Sequence, residues 1–127
     1  MVTHFPVARF WECEISISNF IICENYDILN SLEKLEELSD KLIKICKLTK
    51  LSELKHKFEP QGITLITLLS ESHLSMHTWP ENKSICIDIF SCSDYLLVIK
   101  KIKEILSQYF VINKSSIKMI ERTISKL

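Results

Sequence analysis

Two segments repeat their hydrophobic residues at spacings of three and four, the period of an amphipathic helix. The first runs from Tyr26 to Cys46, with apolar positions at Ile28, Leu32, Leu35, Leu38, Leu42 and Ile45. The second runs from about Asp94 to Gln108, with Tyr95, Val98, Ile102, Ile105 and Tyr109 along one side. We therefore predict two helices that each bury one face, with Asn25 as the N-cap of the first.

The remaining segments are rich in β-branched and aromatic residues or alternate in polarity, which predicts strands. The predicted strands are His4 to about Ile17, Lys50 to Phe58, Ile63 to Leu69, Ser72 to Thr78, Ser84 to Cys92 and Phe110 to Ile124, with residues 113–116 as a candidate interruption of the last. Pro60 and Gly62 lie between two of these strands. They indicate a turn, because proline fixes φ and glycine tolerates positive φ.

The predicted element order is β-α-β-β-β-β-α-β. Short connections between the central strands favour an antiparallel sheet over a doubly wound parallel one. Two helices on one face of such a sheet give an α+β fold, a two-layer α/β sandwich. The other face of the sheet stays uncovered, and a homodimer would protect it.

The length of the chain and the balance of its charged residues limit the classes of function that it can have. The 127 residues predict a single domain, residues 1–127, and the 16 basic residues balance the 16 acidic ones. This balance argues against nucleic acid as a partner. Gly62 is the one glycine of the chain, which excludes glycine-rich phosphate loops. A small-molecule substrate or a protein partner remains.

Cysteine usage and hydropathy bear on location. Five cysteines are dispersed without CxxC spacing, and the four histidines form no paired ligand motif with them, so we predict no metal. Dispersed, odd-numbered thiols are typical of a reducing cytoplasm. No apolar run is long enough for a membrane span, and the N-terminus lacks the layout of a signal peptide.

Polar residues of catalytic type concentrate between residues 62 and 92. Glu71, Ser72, His77, Glu81 and Cys92 lie within about one predicted hairpin. Strand alternation places His77 on one face of its strand and Ser72 on the other. Ser72 could therefore act with His77 only if the chain bends or breaks at the start of that strand.

The segment 71–81, ESHLSMHTWPE, followed by a strand that ends in Phe90-Ser91-Cys92, resembles the signature of the short prokaryotic S-adenosylmethionine decarboxylases. These are pyruvoyl-dependent enzymes made as proenzymes. Phe10-Trp11-Glu12-Cys13 and Phe58-Glu59-Pro60-Gln61-Gly62 are similar to weaker features of the same family. The strong resemblance covers residues 58–92, about a quarter of the chain.

The resemblance implies that the chain cuts itself between Glu71 and Ser72. The Ser72 hydroxyl would attack the Glu71 carbonyl, and His77 would help to remove the Ser72 α-proton. Elimination and hydrolysis would then leave a fragment 1–71 and a fragment 72–127 that begins with a pyruvoyl group. Thr64 stands where the family has a hydroxyl that assists this rearrangement.

The resemblance also implies the reaction. The pyruvoyl carbonyl would form a Schiff base with the amine of S-adenosylmethionine and accept electrons as CO₂ leaves. The product would be decarboxylated S-adenosylmethionine, used in spermidine biosynthesis. Cys92 would return a proton to the substrate, Phe58 would stack on adenine, and Glu81 would bind the ribose hydroxyls.

Several alternatives stay open. The segment Ile15 to Glu24 is interpreted as a connection longer than the family's, and Ser93 stands where the family has glycine. Loops near a pocket set substrate choice, so L-arginine or L-ornithine is an alternative substrate for the same chemistry. A third reading is a non-processing homologue that regulates an active partner. Cys86 and His73 are interpreted as structural.

Overall fold

The structure is a computed structural model that describes residues 14–70, 72–91 and 95–122. The strands are β1 Glu14–Cys23, β2 Lys50–Lys57, β3 Ile63–Leu69, β4 His73–Trp79, β5 Ser84–Ser91 and β6 Ile112–Arg122. The helices are α1 Tyr26–Leu29, α2 Leu32–Ile45 and α3 Tyr95–Tyr109, and a 3-10 turn spans Pro80–Asn82. Together the strands form one six-stranded sheet in the order β2-β3-β4-β5-β1-β6.

Every neighbouring pair of strands in this sheet is antiparallel. Helices α2 and α3 pack against each other and share one hydrophobic core with the sheet. The predicted two-layer α+β sandwich is confirmed, and the elements follow the predicted order along the chain except that the first helix is divided in two. Strand β6 runs unbroken through residues 113–116, but its pairing with β1 shifts register at residue 113, opposite Ile22 and Cys23.

The first strand lies further along the chain than predicted. It spans Glu14–Cys23 and pairs on one side with β5 and on the other with β6. The segment that we interpreted as a long connection is therefore a central strand of the sheet. Its pairing partners lie some 70 and 100 residues away in the sequence, and local hydrophobic patterning does not report such long-range pairing. Residues 4–13 of the predicted strand lie outside the described residues.

The first predicted helix is divided into α1 and α2 at Asn30 and Ser31. The Ser31 hydroxyl accepts a hydrogen bond from the Lys34 N–H at 3.2 Å, so Ser31 is the N-cap of α2. The predicted N-cap, Asn25, makes no capping bond. Its Oδ1 instead accepts from the Val111 N–H at 2.7 Å and ties the start of α1 to the strand region after α3. A break of two residues leaves the three-and-four spacing intact, which is why the pattern did not reveal it.

The core lies between the helices and one face of the sheet. Its fully buried side chains include Leu35, Leu38 and Leu42 of α2, Ile63 and Leu65 of β3, Leu74 and Met76 of β4, and Ile85, Ile87 and Ile89 of β5. A pair of hydroxyls, Ser39 and Thr67, lies within this layer with the oxygens 3.4 Å apart. Burial on this side fixes which residues of β3, β4 and β5 face away from the helices.

Two of the dispersed cysteines are packing residues. Cys23 and Cys46 are buried free thiols. Burial raises the pKa of the Cys23 thiol, and it raises the pKa of Cys46 to about 11. Neither thiol is a ready nucleophile at neutral pH. No helix within the described ranges has the length and apolar character to cross a membrane.

Candidate active site

The sheet face opposite the helices, here called the open face, carries both histidines of the segment that the sequence indicated. Burial alternates strictly along β4, with Leu74, Met76 and Thr78 turned into the core. The half-buried residues on the open face are His73, Ser75, His77 and Trp79 of β4 and Cys86, Asp88 and Phe90 of β5. The predicted alternation of these two strands is thus confirmed over its described length.

His77 and Thr64 form a hydrogen-bonded pair on the open face. Their strands place them directly opposite each other, and the Thr64 hydroxyl lies 2.6 Å from His77 Nδ1. His56 of β2 is opposite Thr64 on its other side. The bond orients the imidazole and occupies one of its nitrogens, an arrangement that suits a group that transfers protons.

Aromatic rings surround His77. Its ring centroid is 4.2 Å from Trp79 and 6.1 Å from Phe58, and Phe58 also contacts His56 at 4.5 Å. Phe58 is 41% exposed, although large apolar side chains are usually buried. An exposed ring held edge-on by its neighbours presents a face on which a planar group can stack.

The 3-10 turn after β4 brings a carboxylate to this end of the sheet. Glu81 is exposed in that turn, two residues after Trp79. A cleft of about 350 Å³ beside it is lined by Ile22, Trp79, Asn82 and Ser84. This volume is at the lower end of the range of small-molecule sites. Phe58, His77 and Glu81, which the sequence predicted for separate roles, therefore lie at one end of β4.

Ser72 lies at the opposite end of β4. It belongs to the turn before the strand, where its carbonyl accepts from the Leu69 N–H at 2.9 Å. Five residues of extended chain separate it from His77, which corresponds to about 16 Å. The structure does not bring Ser72 and His77 of one chain together.

The imidazole beside Ser72 is that of His73. Ser72 Oγ and His73 Nδ1 are 3.3 Å apart, and the His73 ring packs on Phe90 with centroids 4.6 Å apart. The sequence predicts that the strand begins at Ser72, which would place Ser72 and His77 on opposite faces. Strand β4 begins instead at His73, so strand alternation does not fix the face on which Ser72 lies. A polar run of Ser70-Glu71-Ser72 was the available signal for a turn there.

Two predicted site residues, Glu71 and Cys92, lie outside the described residues. Leu74 pairs with Ile89, so β5 runs toward Ser91 at the Ser72 end of the sheet. Cys86, which we interpreted as structural, is half-buried on the open face directly opposite His77. Within the described ranges, no group of three or more His, Cys, Asp or Glu side chains is arranged to hold a metal ion.

Comparison with known proteins places the chain in a family. The family model for S-adenosylmethionine decarboxylase matches residues 15–123. An S-adenosylmethionine decarboxylase proenzyme of Prochlorococcus marinus is 42% identical over 69 residues, which are 54% of this chain and 54% of that protein. One from a Synechococcus is 50% identical over 44 residues, which are 35% and 34% of the two chains. The chain thus spans about half or less of the length of these curated relatives.

A solved structure extends the likeness over nearly the whole chain. The crystal structure of the adenosylmethionine decarboxylase from Aquifex aeolicus superposes with a TM-score of 0.78 at 27% identity, over 91% of this chain and 94% of that one. The sequence match and the fold match agree with the resemblance that residues 58–92 indicated. The chain belongs to the S-adenosylmethionine decarboxylase family.

Proposed function

We propose that this chain is a self-processing carboxy-lyase that converts S-adenosylmethionine to its decarboxylated form and CO₂. The observation that carries the proposal is the arrangement at one end of β4, where the Thr64–His77 pair adjoins an exposed aromatic ring and the strand leads into the turn that holds Glu81. A proton-transfer group beside side chains that can bind adenine and ribose fits a reaction on an adenosyl substrate. Family membership supports the same reaction.

Self-cleavage would begin with attack of Ser72 Oγ on the Glu71 carbonyl carbon, which turns the amide into an ester and frees the Ser72 nitrogen. Loss of the Ser72 α-proton then expels the Glu71 carboxylate and leaves a carbon–carbon double bond at residue 72. Tautomerisation to the imine and addition of water release ammonia and leave a pyruvoyl group. The predicted products are the fragments 1–71 and 72–127 of a single domain.

The surroundings of Ser72 fit this conversion. Because Ser72 precedes β4, a break before it removes no hydrogen bond of the β3–β4 or β4–β5 ladders. Its carbonyl, which anchors the turn through the Leu69 N–H, stays in the chain after cleavage. The buried Ser70 Oγ has no hydrogen-bond partner within the described ranges, so this hydroxyl can donate a hydrogen bond two residues before Ser72. A pyruvoyl group supplies a carbonyl that accepts the electron pair released with CO₂.

The distance between Ser72 and His77 supports a homodimer joined through the open face. Three exposed apolar side chains lie on this face, Leu54 at 73%, Ile66 at 43% and Leu68 at 54% exposure. A two-fold axis that crosses β4 near Ser75 would reverse the strand of the second copy. The His77 end of each chain would then lie over the Ser72 end of the other, so each Thr64–His77 pair would serve the partner's Ser72.

The residues around His77 favour S-adenosylmethionine over arginine or ornithine. The ring of Phe58 offers a stacking surface for adenine, and the carboxylate of Glu81 can accept hydrogen bonds from ribose hydroxyls. Arginine and ornithine have neither group. We propose the proton-donor role for Cys92 on the resemblance alone. The free thiols of Cys23 and Cys46 are in keeping with a cytoplasmic location.

The substrate is tested by CO₂ release from carboxyl-labelled S-adenosylmethionine, L-arginine and L-ornithine with the processed protein. We expect release from S-adenosylmethionine and at least about a hundredfold less from the two amino acids, since they cannot use the nucleoside contacts. Release from an amino acid alone would reject the proposed substrate and the roles of Phe58 and Glu81. A processed chain that releases CO₂ from none of them would reject the reaction itself.

The Thr64 hydroxyl gives a finer test of processing. Thr64→Val keeps the shape of the side chain and removes the hydroxyl that holds His77, so we expect self-cleavage to slow by about tenfold. Thr64→Ser retains the hydroxyl and loses the methyl group that restricts χ1, so it should cleave at least as fast as the wild type. The rates are read from gel time courses after expression. Equal rates for valine and serine would contradict the role of this hydrogen bond.

A further inference from the structure

The short helix α1 is bonded at both ends to the turn that carries Phe58. At its start, the Tyr26 hydroxyl donates to Gln61 Oε1 at 2.7 Å. Just after its end, Asn30 Oδ1 accepts from the Gly62 N–H at 3.0 Å. Both partners belong to the turn of residues 58–62 between β2 and β3. Two side chains 35 and 32 residues distant in sequence thus fix one turn.

Phe58 is the first residue of this turn and is hydrogen-bonded to its last residue, Gly62. The Phe58 N–H donates to the Gly62 carbonyl at 2.8 Å, which closes the turn on itself. Gly62 has φ +102°, and a Cβ there would lie 3.4 Å from the Thr78 carbonyl oxygen. Because the Phe58 residue is 41% exposed, side-chain packing alone would fix its ring only weakly. The hydrogen bonds of the turn therefore set the position of the ring.

Helix α1 is itself attached to the body of the protein. Leu29 is fully buried in the core, and Asn25 Oδ1 accepts from the Val111 N–H at 2.7 Å. The helix also packs against the 3-10 turn that contains Glu81. One four-residue helix therefore contacts both segments that present the proposed nucleoside contacts.

We propose that α1 is a bracket that sets Phe58 and Glu81 for the nucleoside half of the substrate, with Asn30 and Tyr26 as positioning residues outside the pocket. This inference rests on the proposed function. The hydrogen bonds of α1 reach the turn of Phe58, whereas His77 is held by Thr64, so we expect the bracket to act on substrate binding and to leave self-cleavage unchanged. A residue that merely stabilised the link between α1 and α2 would change thermal stability and leave the KM as it is.

The test uses Asn30→Ala and Tyr26→Phe in the full chain. Tyr26→Phe removes a single hydroxyl from a residue that is 46% exposed, so we expect the variant to fold like the wild type. We expect each variant to be cleaved like the wild type, to keep its kcat within about twofold, and to raise the KM for S-adenosylmethionine by about fivefold. Asn30→Asp retains an acceptor oxygen for the Gly62 N–H and should restore most of the affinity.

A second readout separates binding from chemistry. In the uncleaved Ser72→Ala chain, calorimetry with 5′-methylthioadenosine measures the nucleoside half alone, and we expect Asn30→Ala to weaken its Kd by the same factor. The matched control is Ser107→Ala, which removes a hydroxyl bond to the Lys103 carbonyl on α3 and should change neither KM nor Kd.

These measurements can reject the bracket without rejecting the proposed function. If the wild type binds and decarboxylates the substrate, and Asn30→Ala and Tyr26→Phe both have the wild-type KM, the bracket is overturned and the proposed function stands. A wild-type chain that binds neither S-adenosylmethionine nor methylthioadenosine would overturn the proposed function and the bracket with it. If Asn30→Asp raises the KM above that of the wild type as much as Asn30→Ala does, this result would also count against the bracket.

Discussion

Replacing Ser72 by alanine is expected to leave the chain as one 127-residue polypeptide with no decarboxylase activity. Alanine has no hydroxyl to attack the Glu71 carbonyl, so neither the ester nor the pyruvoyl group can form. The wild type should separate into fragments 1–71 and 72–127, whose masses sum to that of the chain with one water added and one ammonia lost. The loss of activity should exceed about 10⁴-fold, because no side chain replaces the missing carbonyl.

Intact-mass measurement and labelling with a carbonyl reagent read out this result together. Ser75→Ala is the matched control, since Ser75 is a half-buried serine three residues further along the chain, in β4. It should be cleaved and labelled like the wild type. A Ser72→Ala chain that still yields two fragments, or a wild-type chain that stays whole and unlabelled, would contradict self-processing at this bond.

The fold was largely predictable because its elements have strong local patterns. The alternation of β3, β4 and β5 and the spacing along α2 and α3 come from burying one side of each element against a shared core. Strand β1 was misplaced because its register depends on β5 and β6, which lie far away in the sequence. The break before α2 was missed because Ser31 caps a helix without disturbing the hydrophobic spacing.

The resemblance indicated the members of the candidate site but not their geometry. Resemblance indicated Thr64, His77 and Phe58, but the 2.6 Å contact of the first two depends on the β3–β4 register. That register is set by which residues enter the core, so sequence spacing alone does not give it. The support of Phe58 by Asn30 had no sequence signal, since the contact joins residues 32 apart across a helix break.

The separation of Ser72 from His77, by contrast, was contained in the sequence. Five residues of strand span about 16 Å whatever the register, so two side chains so spaced cannot meet within one straight strand. Strand alternation gives the face on which each residue lies and says nothing about this length. The proposed joint action of Ser72 and His77 therefore requires either a second conformation or a second chain.

His77→Ala should block self-cleavage. A second chain that keeps His77 should relieve this block when the two chains form a mixed dimer. We expect His77→Ala and Ser72→Ala to be uncut when each is made alone, with cleavage in the former slowed by at least about a hundredfold. In mixed dimers the Ser72→Ala chain supplies an intact Thr64–His77 pair to the Ser72 of its partner. Random pairing at equal amounts would place about half of the His77→Ala chains in such dimers.

Co-expression with tags of different mass identifies which chain is cut. We expect fragments of the His77→Ala chain alone, at up to about half of its total, because the Ser72→Ala chain has no serine to react. Replacing the helper by the double variant Ser72→Ala, His77→Ala should abolish the cleavage while dimers still form. If mixed dimers form and the His77→Ala chain stays whole, processing occurs within one chain, and β4 would then have to fold back on itself to bring its two ends together.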